Sequence, residues 1–264
     1  FIMNKKDFEA FVPSEMAKRA KASGIRKANR DLLSTIFLSI QAGAFIAIGA
    51  AFYTSVISDN CLGIGIGNLI GGLAFSLGLI LVIIAGADLF TGDTLMVMAS
   101  FSKEITFKQM LRCWFFVFIG NFIGAISIYH LIKLSGQDVI WLDQAITIAS
   151  KKIYSSSSQL FFSGILCNML VCLAIWLCYS AKSVTDKILA IIFPISAFVA
   201  LGFEHSVANM YFLQFGNFTF LQILENIIIV TFGNIIGGGV FVGVVYWILY
   251  LRPGAPESKS GFEA

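Results

Sequence analysis

Residues 200–212 read ALGFEHSVANMYF and place an acid beside an imidazole within an otherwise apolar segment. Water solvates Glu204 and His205 readily, whereas an apolar interior penalises both unless neighbouring groups pair with them. Gly202 precedes the pair and interrupts the apolar run from about residue 188 to 213. We therefore predict a broken helix here.

The composition indicates that the main solvent of this chain is lipid. Its 264 residues are 58% hydrophobic and 12% charged, against about 45–50% and 25% in soluble domains. A spanning helix needs about 20 apolar residues. Single-span runs of this length are 32–57, 111–134, 160–179 and 224–251. The run from about 62 to 101 is too long for one helix, so we predict an all-α membrane protein with six transmembrane helices, the second and fifth broken.

Basic residues predict the orientation and the domain limits. Only Lys133, Lys151 and Lys152 of the 18 Lys and Arg residues fall outside if the N-terminus is cytoplasmic. We expect no cleavable signal peptide, both termini in the cytoplasm, and a location in the plasma (inner) membrane. The predicted parts are a basic cytoplasmic segment (1–30), a six-helix transmembrane domain (31–252) and a cytoplasmic tail (253–264). Residues 14–30 are either an amphipathic helix on the inner leaflet, capped by Ser14, or a solvated tail.

The two halves of the chain echo each other. GNFIGA at 120–125 is similar to GNIIGGG at 233–239, and GAD at 86–88 is similar to GFE at 202–204. These pairs have similar offsets, so we predict two three-helix repeats that insert with opposite topology, with the broken helices at equivalent places. The GxxxG spacings 67/71, 120/124, 233/237 and 239/243 predict close helix approaches.

The interruptions carry the residues to which we assign chemistry. In AGADLFTGDTL, residues 85–95, two glycines bracket Asp88 and Thr91. A half-helix that starts in a break presents N–H groups with partial positive charge, which favour an anion. Thr91 adds a hydroxyl that donates or accepts. Asp88 and Glu204 would repel an anion, so we expect them to cap freed backbone amides.

His205 and two amides are the other candidates for a pathway. Ionisable residues inside a membrane are costly and mark a solute path or proton relay, although a histidine satisfied by packing is the other interpretation. The unperturbed pKa of histidine is about 6.5, so it could protonate a weak-acid anion. Asn168 and Asn234 either line the path or join helices by hydrogen bonds.

Cysteine usage indicates neither a disulfide framework nor a metal site. Five cysteines without CxxC pairing are typical of small apolar fillers. We expect no metal, no cofactor and no nucleic-acid partner. The cysteines are Cys61, Cys113, Cys167, Cys172 and Cys178.

At these residues the chain resembles the formate/nitrite transporter family. The matching stretches are AGADLFTGDTL (85–95), GILCNMLVCLAIW (164–176), GFEHSVANM (202–210) and GNIIGGG (233–239). The likeness extends from about residue 30 to 251, and LFTGDTL is most similar to the hydrosulfide-conducting branch. The resemblance implies a homopentamer in lipid, an aquaporin-like protomer with its own pore, and passage of formate, nitrite or hydrosulfide.

The resemblance also implies roles for individual residues. Two apolar constrictions flank a central chamber in that family, and Thr91 and His205 match the chamber, with Asn168 and Asn234 beside it. Lys152 matches a basic residue of the outer vestibule, and Lys151 stands next to it. Residues that match the constrictions are Phe75, Leu79, Leu89, Phe90 and Phe198.

These residues predict a mechanism and two rival functions. A bare charge in a medium of dielectric constant about 4 usually neutralises, because its solvation cost is very high. We predict that Lys152 draws the anion inward and that His205 protonates it; direct anion conduction with His205 as a hydrogen-bond donor is the alternative.

An aquaporin-type channel for neutral solutes would be expected to carry Asn-Pro-Ala loops, which are missing. An intramembrane enzyme would need a metal cluster or a Ser/His/Asp set, so we do not expect an enzyme.

Overall fold

The computed structural model describes residues 10–58 and 63–255, which form helices and loops with no strand among them. Residues 1–9 of the predicted basic segment, Cys61 and residues 256–264 of the predicted tail lie outside this part. The helices are α1 (Pro13–Ala28), α2 (Leu32–Ile57), α3 (Ile64–Ala85), α4 (Phe90–Asp93), α5 (Val97–Phe101), α6 (Phe107–Ser135), α7 (Leu142–Ile153), α8 (Ser157–Ser180), α9 (Val184–Ala200), α10 (Ser206–Phe212), α11 (Phe220–Asn234) and α12 (Val245–Tyr250).

Five helical segments are long and apolar enough to cross a membrane. They are Leu32–Ile57, Ile64–Ala85, Phe107–Ser135, Ser157–Ser180 and Phe220–Tyr250. The four predicted single-span runs are therefore confirmed as helices. The remaining segment, Ile64–Ala85, is the first part of the predicted second span. Helix α9 has 17 residues and is shorter, so six complete spans stay a prediction.

Side-chain caps determine where several of these helices begin. Asp31 accepts the Ser34 amide at the start of α2, which satisfies one of the free N–H groups of the first turn. Four later helices begin with a reciprocal capping box, in which the cap hydroxyl and the third helical residue bond each other's backbone. Those pairs are Thr106/Gln109, Ser156/Gln159, Ser183/Asp186 and Thr219/Gln222.

Both predicted interruptions are confirmed. Helix α3 ends at Ala85 and helical structure resumes at Phe90, while α9 ends at Ala200 and α10 begins at Ser206. Each break contains a glycine in the left-handed region, Gly86 with φ 83° and Gly202 with φ 72°. Residues with a Cβ rarely adopt this conformation, so glycine lets the chain turn out of the helix here.

The two halves pack by the same plan. Helix α2 contacts α3 and α6, helix α8 contacts α9 and α11, and α3 meets α9 between them. Gly120 and Gly124 lie against α2, and Gly233 and Gly237 lie against α8, where a Cβ would meet backbone or buried side-chain atoms. Close approach is confirmed for these two spacings. It is not met at Gly67, where a Cβ would have no atom of the described residues within 4 Å.

Helix α1 packs on the protein in a way that neither sequence interpretation describes. Its buried face contacts α5, α6 and α8, so it is neither a solvated tail nor a helix held by lipid alone. The predicted cap is also wrong, because Val12 is the N-cap residue and Pro13 occupies the first turn. Proline has a fixed φ and no N–H, which suits the first helical position and moves the cap ahead of Ser14.

Candidate functional site

An asparagine on α6 holds the first break in place. Asn121 accepts the Phe90 amide through Oδ1 at 2.9 Å, and its Nδ2 donates to the carbonyls of Ser39 (2.8 Å) and Asp88 (2.9 Å). This side chain is fully buried, so it satisfies the Phe90 amide and the Asp88 carbonyl of the break away from water and joins them to helix α2. Asn121 was not among the predicted site residues.

An asparagine on α11 does the same at the second break. Asn234 accepts the Ser206 amide through Oδ1 at 2.9 Å and donates from Nδ2 to the carbonyls of Gly164 (2.8 Å) and Glu204 (3.0 Å). The first amides of α4 and α10 are therefore both bonded to asparagine. Those two N–H groups are occupied, and they are the groups we expected to attract an anion.

The expectation that the two acids cap backbone amides is wrong, because cations bind them instead. Asp88 forms ion pairs with Arg30 and with Lys27 (3.3 Å), and Lys27 also binds Asp93. Burial lowers the pKa of Lys27, but the carboxylates of Asp93 and Asp88 outweigh it and hold this pKa above its ordinary value. A buried carboxylate needs a charged partner, and α1 supplies it at this break.

Glu204 at the second break binds a cation from α7. Lys152 Nζ lies 2.9 Å from Glu204 Oε2, and the two side chains are only 12% and 10% exposed. Asn209 donates to the same carboxylate oxygen at 2.7 Å and also to Asn226 Oδ1 at 2.8 Å. Asn226 in turn donates to the Lys152 carbonyl at 2.9 Å. This closed network holds the end of α7 against the second break.

The structure brings Thr91 and His205 together from the two breaks. Thr91 Oγ1 lies 3.0 Å from His205 Nε2, and both side chains are buried. The Ala208 amide donates to His205 Nδ1 at 3.1 Å, so Nδ1 carries no proton. In the neutral ring the proton is then on Nε2 and points at Thr91 Oγ1. The Thr91 hydroxyl hydrogen has no acceptor within the described residues, and the Thr91 side chain is fully buried and lines neither of the two cavities described below.

A cavity of about 90 Å³, here called the α7 cavity, reaches the His205 side of this pair. Its polar wall holds Lys151, Lys152, Glu204 and His205, and its apolar wall holds Tyr53, Phe75, Phe198 and Phe212. Phe75 and Phe198 meet edge to face with their ring centroids 5.5 Å apart. The Phe198 ring also stacks on His205 at 6.0 Å. Two predicted constriction residues therefore lie directly beside the predicted chamber histidine.

A second cavity of about 320 Å³, here called the α1 cavity, lies on the other side of the first break. Leu89 and Gly92 line it, whereas Thr91 between them contacts His205 of the α7 cavity. Its cationic wall consists of Arg26, Lys27, Arg30 and Lys187, with Asp88 among them. Residues 89–92 therefore separate the two cavities.

Three other predicted residues take different positions. Leu79 is buried and lines neither cavity. Phe90 packs edge to face on Trp114 and Phe118 of α6, with ring centroids 6.0 and 5.1 Å away, so its side chain is directed away from Phe75 and Phe198. Asn168 contacts the backbone of Thr91 and lines neither cavity.

Asn168 joins three parts of the chain beside Thr91. Its Nδ2 donates to the carbonyls of Thr91 (3.1 Å) and Asn234 (2.6 Å) and to Thr94 Oγ1 (3.2 Å). The Asn234 carbonyl accepts this bond where α11 changes into a π-helix over Ile235–Val244. Insertions of this kind are frequent at functional sites. The four described cysteines are free and buried, as predicted for apolar fillers.

Sequence reasoning missed the amides and cations that hold the breaks. Asn121 stands in the GN pair that both repeat echoes share, so the echo itself carried the signal. Asn209 in α10 and Asn226 in α11 are, like Asn168, amides within largely apolar stretches. Lys27 and Arg30 carried no local signal, because their acids lie 58 residues or more away along the chain.

Two broken helices that meet at a buried polar pair between two cavities define a multi-pass membrane protein of the channel or transporter class. The sequence model of the formate/nitrite transporter family matches residues 14–248. The formate channel FocA of Escherichia coli (strain K12) is 39% identical over 274 residues, which cover 93% of this chain and 96% of FocA.

Solved structures agree with this match. An FNT family ion channel superposes with a TM-score of 0.82 at 33% identity, covering 88% of this chain and 98% of that one. A pentameric formate channel with formate bound gives a TM-score of 0.77 at 38% identity, covering 84% and 98%. The chain therefore belongs to the formate/nitrite transporter family, whose matched members are channels or transporters and not enzymes.

Proposed function

We propose that this protein is a channel for small monovalent anions of weak acids, with formate first and nitrite and hydrosulfide as the other candidates. The observation that carries the proposal is the buried Thr91–His205 contact between the α7 cavity and the α1 cavity. The similar formate channel with formate bound is pentameric, so we also propose a homopentamer with one path in each protomer. Phe75, Phe198 and Leu89 form the narrow apolar parts of this path.

Electrostatic attraction brings the anion to both ends of the path. The α7 cavity holds two lysines against one carboxylate, and the α1 cavity holds four cations against Asp88. A cleft lined mainly by one sign of charge raises the local concentration of the opposite ion. The positive-inside rule places the α1 cavity on the cytoplasmic side of the plasma (inner) membrane. The functional unit is then the transmembrane domain 31–252 together with α1.

The neutral histidine acts as a hydrogen-bond donor in this proposal. His205 Nε2–H orients the Thr91 hydroxyl, and the hydroxyl hydrogen bonds the anion where the aromatic walls have removed its water. A hydrogen bond to a charged group contributes about 1.5–3 kcal/mol. Complete proton donation is the competing form. It needs a second ring proton on Nδ1, and that proton would point at the Ala208 N–H.

The test is formate, nitrite and hydrosulfide flux into proteoliposomes across pH for the wild type, His205→Asn and Thr91→Val. Asparagine can still accept the Ala208 amide as a helix cap, so His205→Asn removes the titratable ring with its Nε2–H and keeps the break, while its own amide donor sits on a shorter side chain. We expect both variants to lose about tenfold or more of the formate flux, which matches about 1.4 kcal/mol. Thr91→Ser retains the hydroxyl and should keep most of it.

The outcomes separate the candidate functions. If His205→Asn retains the wild-type pH dependence, proton donation by this residue is ruled out and the hydrogen-bond form stands. If the wild-type pentamer passes glycerol but none of the three anions, the runner-up, an aquaporin-type channel for neutral solutes, replaces the proposal.

A further inference from the structure

We infer that Lys151 supplies the charge that draws anions into the α7 cavity, and that Lys152 acts as a positioning residue for Glu204. This inference rests on the proposed anion-channel function and divides its lysine attraction between two neighbours. Both lysines lie in the last turn of α7 and both line the cavity. Their surroundings are different.

Lys152 has little free charge to offer. Its Nζ lies 2.9 Å from Glu204 Oε2, and the pair is almost buried. The same ammonium group lies 5.4 Å from the centre of the Phe212 ring, and the Lys152 carbonyl accepts Asn226 Nδ2. A buried pair of opposite charges presents nearly zero net charge to an approaching anion, so Lys152 stabilises the second break.

Lys151 is exposed and has no carboxylate partner within the described part of the chain. Its Nζ lies 3.8 Å from the position that a Cβ of residue 202 would take, at the rim of the second break. The charged residues of the cavity wall are Lys151, Lys152 and Glu204. The opposite charges of Lys152 and Glu204 cancel each other. The remaining positive charge is that of Lys151.

The experiment compares formate flux into proteoliposomes at low formate for the wild type, Lys151→Gln, Lys151→Arg and Lys152→Gln, with sodium gluconate added to raise the ionic strength. Attraction by an exposed charge is screened within about 10 Å at 0.1 M salt. We expect Lys151→Gln to lose about three- to tenfold of the flux and most of its salt dependence, since steering of this kind changes rates by about 10-fold or more. Lys151→Arg should retain both.

Lys152→Gln serves as the contrast. It should lower the thermal unfolding temperature by uncovering the buried Glu204 carboxylate, and the uncovered carboxylate should also offset the charge of Lys151. The double variant Lys152→Gln/Glu204→Gln removes both charges of the pair, so it should recover the unfolding temperature and keep the wild-type salt dependence of the flux. A Lys151→Gln channel with wild-type flux and salt dependence would overturn the inference, as would loss of salt dependence in the double variant. A wild type without anion flux would instead overturn the proposed function.

Discussion

The two breaks are built alike but are charged differently. Each has a glycine with positive φ, an acid, and an asparagine 113 residues from its counterpart that makes three bonds to backbone groups. The cations, however, come from outside the repeated helices. Helix α1 brings Lys27 and Arg30 to the first break, and α7 brings Lys152 to the second.

This difference separates the residues that hold the backbone of the breaks from the residues that meet in the middle of the path. Both halves have an asparagine bonded to three backbone groups, so this arrangement serves to hold non-helical backbone inside the protein. The side chains that meet in the middle are not equivalent, since the first break contributes Thr91 and the second contributes His205. The duplicated frame therefore presents an asymmetric pair to the solute.

The largest effect is expected when either asparagine is removed. Asn121→Ala and Asn234→Ala each leave one buried N–H and two buried carbonyls without this partner. At about 1–3 kcal/mol per unsatisfied group, each variant should lose more than about 3 kcal/mol of stability. Thermal unfolding of the detergent-solubilised protein measures the loss.

Equal losses would support equivalent roles, and a variant that unfolds like the wild type would show that its break needs no amide. Asn29→Ala is the matched control, because Asn29 is exposed and its side chain bonds only the Ile25 carbonyl. We expect no measurable shift for this control.

A smaller and unequal effect is expected from the two acids. Glu204→Gln leaves the nearly buried Lys152 without an anion and should cost about 3 kcal/mol. Asp88→Asn should cost about 1 kcal/mol, because Lys27 keeps Asp93 and Arg30 is 25% exposed to water. Denaturation midpoints of both variants give the order. The reverse order would mean that α1, and not α7, provides the more important charge pair.

The spans and the breaks could be predicted from the sequence because each has a local signal. Apolar runs of about 20 residues predict helices in lipid, and glycines beside Asp88 and Glu204 predict interruptions. The meeting of Thr91 and His205, 114 residues apart, followed from the family resemblance and is confirmed as a contact. Their roles in transport stay predictions.

The partners of the acids could not be predicted, for a physical reason. A basic segment such as residues 14–30 satisfies the same pattern on a lipid surface, in water or against protein acids. Only the tertiary fold decides, since Lys27 and Asp93 are 66 residues apart. The direction of the Phe90 side chain is a similar case, because a loop without helical periodicity does not reveal which way a ring points.

A small effect of equal size is expected at the two glycines, and it tests whether the breaks differ in backbone or only in charge. A left-handed residue with a Cβ costs about 1–2 kcal/mol, so Gly86→Ala and Gly202→Ala should lose similar stability. Among the described residues, a Cβ at residue 86 has no neighbour within 4 Å, and a Cβ at residue 202 has Lys151 Nζ at 3.8 Å. Asparagine tolerates this conformation better, so Gly→Asn at either position should lose less stability than Gly→Ala.

If Gly202→Ala costs several times more stability than Gly86→Ala in thermal unfolding, the two turns are not equivalent and the breaks differ in their backbone as well as in charge. If stability falls equally but formate flux falls further in Gly202→Ala, the added methyl has acted on the neighbouring ammonium group, and the difference between the breaks is one of charge.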